Sequence, residues 1–448
     1  MTHRERLRNL VVDVSPLRDF PVYRRLWIGQ SINVVGSQIT RVALPYQVYV
    51  LTHSTLAIAG LTFVQLVPIL TFALGGGSLA DVVDRRRLLL VTQVALALCS
   101  LGLAIVSFGT PGLAVLFVIA FVQAGFGAVD SPTRSSAIPR LVPTHRLPAA
   151  IGLGQLSFNA GSVIGPAIGG LILATFGISG AYLTDVATFV ASIVAILGLP
   201  PIPPVVSGRR ASIGAIREGL GFVRGRRVIL STFAIDLNAM IFGMPTALFP
   251  ALAIDVFHTG AVGVGLLNAA PAFGAVFAAS LSGVATRLRR IGRGIIVAVV
   301  VWGGAIALFG LSTFSFPLAL AFLAIAGGAD VISAVLRATL VQLTTPDELR
   351  GRVSAIHMLV VTSGPRVGDI EAAGVASVIG AQLSAISGGL LCVLGVIGVA
   401  RWFPELDHQL RPDAPRGAPA APPGPAEARD TAEPREPAEP REPAEPLA

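Results

Sequence analysis

GSLADVVDRRRLL, residues 77–89, is a short acidic–basic stretch held between two long apolar runs. Gly77 lets its run approach a neighbouring helix closely. Asp81, Asp84, Arg85, Arg86 and Arg87 cannot sit in hydrocarbon, where each charge costs roughly 2.5–3.5 kcal/mol or more. The stretch is therefore expected to be a tight loop at a membrane face, and its arginines assign that face to the cytoplasm.

Composition agrees with a membrane chain. Of 448 residues, 53% are hydrophobic and 13% charged, with a mean hydropathy of +0.75; water-soluble domains carry about 25% charged residues. The basic residues are all arginine and lie between apolar runs, so the net charge of +8 builds no nucleic-acid-binding face. Cys99 and Cys392 both fall inside apolar runs, which argues against a disulfide framework or a metal site. No cleavable signal peptide is expected, because the arginine-rich start leads into a full-length span.

A bilayer-crossing helix needs about 20 apolar residues. Twelve such runs are read at 26–50, 56–80, 88–108, 112–133, 148–176, 181–199, 228–256, 260–286, 294–311, 317–337, 353–376 and 379–401. Arginines precede the first run and follow every even-numbered one up to the tenth. The alternate connections, such as Thr52-His53-Ser54 and Gly177 to Gly180, have none. This alternation predicts cytoplasmic termini and very short outer loops.

The chain also repeats itself at offsets of about 200 to 206. Arg24-Arg25 returns as Arg226-Arg227, Pro68 as Pro271, and the Asp130–Arg134 segment as Asp330–Arg337. The expected organisation is a cytoplasmic N-terminus (1–25), a six-helix bundle (26–199), a cytoplasmic linker (200–227), a second six-helix bundle (228–402) and a tail (403–448). The tail's proline-rich near-repeats, such as AEPREPAEP, cannot bury a core and predict disorder.

The opening stretch resembles the loop between the second and third helices of major facilitator superfamily transporters, with Gly77, Leu79, Ala80, Asp81, Arg85 and Arg86 at matching positions. Val82 and Asp84 depart from that pattern, and in the second-half counterpart at 282–292 Thr286 stands where Asp81 does. GSVIGPAIGG in the fifth span (Gly161, Gly165, Pro166, Gly169, Gly170) resembles the glycine–proline motif of the superfamily's antiporters. LRDFPVYRRLWIGQSI, VDSPTRSSAIPRLVP and PDELRGRVSAI look like the branch that contains the enterobactin exporter and related secretion-effector or multidrug permeases. The resemblance implies an all-α fold of twelve transmembrane helices in two pseudo-symmetric bundles, in a bacterial inner membrane. It also implies secondary active export of a siderophore or hydrophobic drug-like compound, coupled to protons, by a monomer without cofactor. The family's fourth-helix arginine, linked to proton coupling, is missing from FVQAGFG at 121–127. An uptake permease and a non-transporting membrane scaffold are the alternatives. No nucleophile–base pair or phosphate-cradling loop suggests an enzyme or direct use of ATP.

Charges inside spans should face a cavity or pair. The candidates for cavity lining or coupling are Gln30, Asn33, Arg41, Asp185, Asp236, Asn238, Arg366, Asp369 and Glu371. Gln30, Asn33 and Ser37 share one helix face. Spacing also puts Arg366 and Asp369 on one face, where a mutual ion pair or an interhelical clamp reads as well as a cavity role. Asp130 and Arg134, one turn apart, are read with Gly77, Asp81, Arg85 and Arg86 as a gate.

Overall fold

The apolar runs become helices, and the glycines, prolines and arginines between them become the turns. The computed structural model describes residues 13–203, 220–280 and 290–407, without side chains over 73–82. Asp81 and Gly77 thus close a helix whose side chains there lie outside the described residues, as do residues 204–219 of the linker, the 281–289 counterpart and the tail from 408.

Helix α1 is Pro21–Thr52, α2 Thr55–Val82, α3 Arg85–Val106 and α4 Leu113–Leu141. The helical stretch Leu147–Leu197 is interrupted at Gly177, whose φ of 72° and ψ of −174° belong to a region open essentially to glycine. It therefore comprises α5 (147–176) and α6 (178–197); the expected four-residue turn at 177–180 shrinks to that single glycine. Helix α7, Arg227–Val256, runs from Arg227–Phe242 through a break at Gly243 to Pro245 into a π-helical end, Leu252–Val256. Then follow α8 (Gly260–Ser280), α9 (Ile291–Leu311), α10 (Phe316–Thr344), α11 (Asp347–Ile379) and α12 (Ala381–Trp402). Helices α4 and α10 extend past the apolar runs that predicted them, to Leu141 and Thr344.

Among the described residues nine segments are long and apolar enough to cross a membrane, the α5–α6 pair forming one of them. Helices α1 and α11 fall outside this set because polar side chains interrupt their apolar runs. The others turn an apolar face outward: on α3, Val91, Val94, Leu98 and Ile105 are exposed, while Leu89, Thr92, Gln93, Leu96 and Ser100 face inward. An amphipathic helix with its apolar side out suits a lipid solvent.

The two halves pack alike. Along α1, Trp27 donates to the Leu153 carbonyl (3.1 Å), Ser31 to Ser157 (2.8 Å) and Gln38 to Ser162 (2.7 Å), so α5 runs parallel to α1. Thr40 meets Asp185 (2.7 Å) and Gln47 meets Tyr182 (2.7 Å), so α6 runs antiparallel. In the second half α7 has α11 parallel, through Phe233–His357 and Thr246–Asp369, and α12 antiparallel, through Asn238–Cys392 and Phe242–Gly388. The structure thus repeats the internal symmetry seen in the sequence.

The end where α1 begins and α12 finishes is here the terminal face, and the opposite end the far face. At the far face one apolar cluster joins both halves, including Val48, Tyr49, Leu61 and Leu173 with Leu248, Phe249, Leu252 and Val264. Toward the terminal face the first half keeps its own clusters, around Leu26, Leu89 and Ile196 and around Tyr23 and Ala150. Val223, Ile229, Val353 and Ile356 cluster within the second half alone.

Candidate functional site

At the terminal face the arginines that follow α2 work as helix-end anchors. Asp84 caps α3 by accepting from the Arg87 amide (3.0 Å). Arg85 is buried and donates to Ser136 (3.0 Å) and the Pro203 carbonyl (3.0 Å). Arg86 donates to the Leu197 carbonyl (2.8 Å) at the end of α6, where a cation satisfies orphan carbonyls and complements the helix dipole. Deeper in, Asp130 pairs with Arg134 (3.1 Å) and accepts from Thr92 (2.7 Å) and Gln93 (3.0 Å). The one-turn spacing thus does bring the pair together.

The α5 glycines divide into two jobs. A methyl group on Gly161 would meet Val34, on Gly165 Gln38, and on Gly169 the Ile39 backbone, all on α1. Gly170 looks the other way, onto the Ala261 carbonyl and Gly265 of α8, and Gly265 also abuts the Pro166 carbonyl. Three glycines therefore let α1 lie on α5, and the fourth lets the halves touch backbone to backbone. On the same face of the molecule the Tyr49 hydroxyl of α1 donates to the Asp255 carboxylate at the end of α7, a second link between halves.

At mid-depth α1 presents Gln30, Asn33, Ser37 and Arg41 on one side. Ser37 and Arg41 are exposed although they lie well inside the helix. Pro45 leaves the Arg41 carbonyl without its usual helical donor. Arg41 lies within electrostatic reach of Asp369 and Arg366 on α11. Arg366 and Asp369 do not form the mutual ion pair that their spacing suggested. Asp369 accepts from the Thr246 hydroxyl (2.5 Å) and the Ala247 amide (2.9 Å), capping the helical turn that resumes α7 after its break. Arg366 donates instead to the Thr362 carbonyl (2.9 Å). Two guanidiniums from opposite halves thus share one carboxylate that is already engaged. Glu371 is half-buried on the same helix.

Asp185 departs from a cavity-lining position. It is 0% exposed between α1, α3 and α6, where it accepts from Thr40 and Ser100 (both 2.7 Å). Asn238 likewise turns to α12, donating to the Cys392 carbonyl (2.9 Å), and acts as a helix–helix tie.

Asp236 does reach a cleft, lined by Thr232, Phe233, Asp236, Arg337, Val341 and His357. Its carboxylate lies 2.8 Å from Arg337 and 3.8 Å from His357, and Arg337 lies 3.8 Å from Asp330. Sequence spacing paired Arg337 with Asp330; the packing of α7 on α10 and α11 gives it Asp236 as the closer partner. Ser333 accepts from Arg337 one turn along α10 (2.6 Å), a spacing that the sequence offers, whereas the nearness of His357 to Asp236 depends on how α11 meets α7.

The profile of the transmembrane secretion effector family matches residues 12–421. Among curated relatives, the enterobactin exporter EntS of Citrobacter koseri is 28% identical over 422 residues, covering 91% of this chain and 98% of its own. EntS of Escherichia coli is 28% identical over 403 residues, covering 86% and 93%. Solved structures share the fold at lower identity. A POT family transporter in complex with 5-aminolevulinic acid aligns with a TM-score of 0.69 and 13% identity, over 86% of this chain and 97% of that one. A bacterial homologue of the iron transporter ferroportin in the inward-facing state aligns with a TM-score of 0.67 and 14% identity, over 87% and 99%.

Proposed function

The chain belongs to the transmembrane secretion effector family, within the major facilitator fold, and we propose that it exports a small organic molecule, a siderophore or a hydrophobic drug-like compound, by proton-coupled alternating access. It acts as a monomer in a bacterial inner membrane, with the terminal face in the cytoplasm. Arginines at that face support the orientation, and the names of its curated relatives support a siderophore.

The observation that carries the reading is the unequal joining of the two halves. They share an apolar core and a glycine contact at the far face, while at the terminal face their clusters stay apart. That is the arrangement of one state in a rocking cycle around a midplane site. Substrate enters from the terminal face and meets Arg41 and Arg366, one from each half. Closing the terminal face while parting the far face then delivers it outside.

The test is accumulation in efflux-deficient cells of a panel of dyes, antibiotics and a catecholate siderophore, with and without a protonophore. The intact protein should lower accumulation of at least one compound, and the protonophore or Arg41→Gln should restore it. Raised accumulation would instead make the protein an uptake permease.

A further inference from the structure

The two halves carry the same polar position with different charge. In the first half Asn33, Asp130 and Arg134 are buried, and Asp130 and Arg134 cancel. In the second half, at a single offset of 203 positions, Asp236 stands for Asn33, Ser333 for Asp130 and Arg337 for Arg134, while Asp330 stands where the first half has Gly127. The counterpart of His357, again 203 positions back, is Gly154. The second half therefore replaces the neutral amide by a carboxylate, the Asp130 carboxylate by the Ser333 hydroxyl, and two glycines by the Asp330 carboxylate and an imidazole, leaving the single guanidinium unchanged.

Arg337 is 2% exposed, and it faces Asp236 at 2.8 Å and Asp330 at 3.8 Å. With His357 neutral, the group holds two negative charges against one positive. An uncompensated charge in a low-dielectric interior is costly, and one added proton removes it. The Asp330 side chain is 30% exposed and that of His357, which lines the cleft, is 37% exposed, so these two are the cluster's accessible proton acceptors while Asp236 is buried. The Arg337 Nε is buried without a hydrogen-bond acceptor, so the guanidinium is incompletely satisfied by its present neighbours. Helix α7 supplies Asp236, α10 supplies Asp330 and Arg337, and α11 supplies His357. The nearest charges of the other packed helices, Arg293 on α9 and Arg401 on α12, lie exposed near the terminal face, and α8 has none.

We propose that the Asp236–Asp330–Arg337–His357 cluster is the proton-binding site of this protein, taking up one proton per chain, and that its counterpart in the first half is a structural ion pair that binds none. The proposal rests on the proton-coupled transport reading and locates the coupling in the second half. Loading the proton makes the cluster neutral and lets α7, α10 and α11 draw together. Releasing it restores a negative charge that Arg337 alone cannot balance. The proton is the ligand, and no other reactant is needed.

The experiment is infrared difference spectroscopy on the purified full chain in detergent, across about pH 5 to 8, where histidines and perturbed carboxyls exchange protons. Isotope-labelled aspartate identifies the carboxyl band. The wild type should show a protonated carboxyl band appearing on acidification. Asp236→Asn, which copies the first half, should abolish it, while Asp130→Asn should leave it in place. If Asp236→Asn does not purify as a single species, Asp330→Asn carries the same expectation on a partly exposed side chain. A spectrum unchanged by both second-half substitutions, or one lost in Asp130→Asn instead, would overturn the proposal. The readout needs no substrate, so its failure is distinct from failure of the export reading. In the accumulation assay the companion expectation is that Asp236→Asn loses its response to protonophore.

Discussion

Replacing Gly265 by alanine should drive the halves apart at the far face. A β-carbon there would lie 2.5 Å from the Pro166 carbonyl oxygen, 2.7 Å from the Gly170 α-carbon and 2.9 Å from its nitrogen. Ordinary contact begins at 3.4 Å, so the backbones must separate by up to 0.9 Å. Every obstructing atom is main chain, and no side-chain rotation relieves the clash. Overpacking of this kind costs about 1–3 kcal/mol, and it is paid only in the state where the two helices touch. The ratio of far-face-open to far-face-closed molecules should therefore rise about 5- to 150-fold. The assay is labelling of a cysteine at Ala247, buried in the apolar cluster that joins the halves, by a membrane-impermeant maleimide, with Cys99 and Cys392 changed to alanine. The labelling rate should rise by that factor in Gly265→Ala and similarly in Gly170→Ala. The double variant should add less than the sum, because both methyl groups push on one contact. An unchanged rate in both single variants would refute the reasoning that this contact closes the far face.

Tyr49→Phe removes the hydroxyl that reaches Asp255 across the halves; a lost hydrogen bond of about 1 kcal/mol should raise the same labelling rate about fivefold. Arg134→Gln leaves Asp130 buried with Thr92 and Gln93 but no cation, which should destabilise the fold by about 3–5 kcal/mol and lower the unfolding temperature in detergent. Ser100→Ala withdraws one of the hydroxyls that hold the buried Asp185 carboxylate and should cost about 1–3 kcal/mol in the same measurement. At the terminal face Ser15, with help from Arg146, holds the Asp13 carboxyl below its ordinary value. Its folded value is thus the lower one, so the contact is fully present above the usual aspartate range and is lost as pH falls through that lowered folded value. Protection of the Ser15 amide from hydrogen exchange, which Asp13 accepts, should disappear on acidification and persist at neutral pH.

The fold was largely legible because hydrocarbon leaves a chain few options. Length, apolarity and the arginine rhythm located twelve helices, and a repeat of about 200 residues anticipated the way α7 copies α1. Contacts across helices were harder to read. Arg366 and Asp369 lie three apart on α11, yet nothing local announces that α7 breaks near Pro245 and offers Ala247 as a better partner. Asp185 read as a cavity residue by depth alone; the hydroxyls of Thr40 and Ser100, on two other helices, hold it away from any cavity. Arg337 was visible as a charge, but its pairing with Asp236 depends on how α7 meets α10. The glycine motif of α5 was legible as small-residue packing, whereas the outward look of Gly170 toward the other half required its rotational position on the helix.

The polarity of α1 has a bearing on how the protein is made. Helix α1 leaves the ribosome before the helices that hold it, and it is not apolar enough to rank among the nine segments of the described residues that could cross a membrane by length and composition. Its supports are the glycine-lined surface of α5 and the Asp185 and Tyr182 side chains of α6, synthesised more than a hundred residues later. Insertion of α1 must therefore be held provisionally, by its flanking arginines and by α2, until residue 197 has emerged. A nascent chain cut before α6 would carry a helix with no place to settle, an obvious substrate for membrane quality-control proteases.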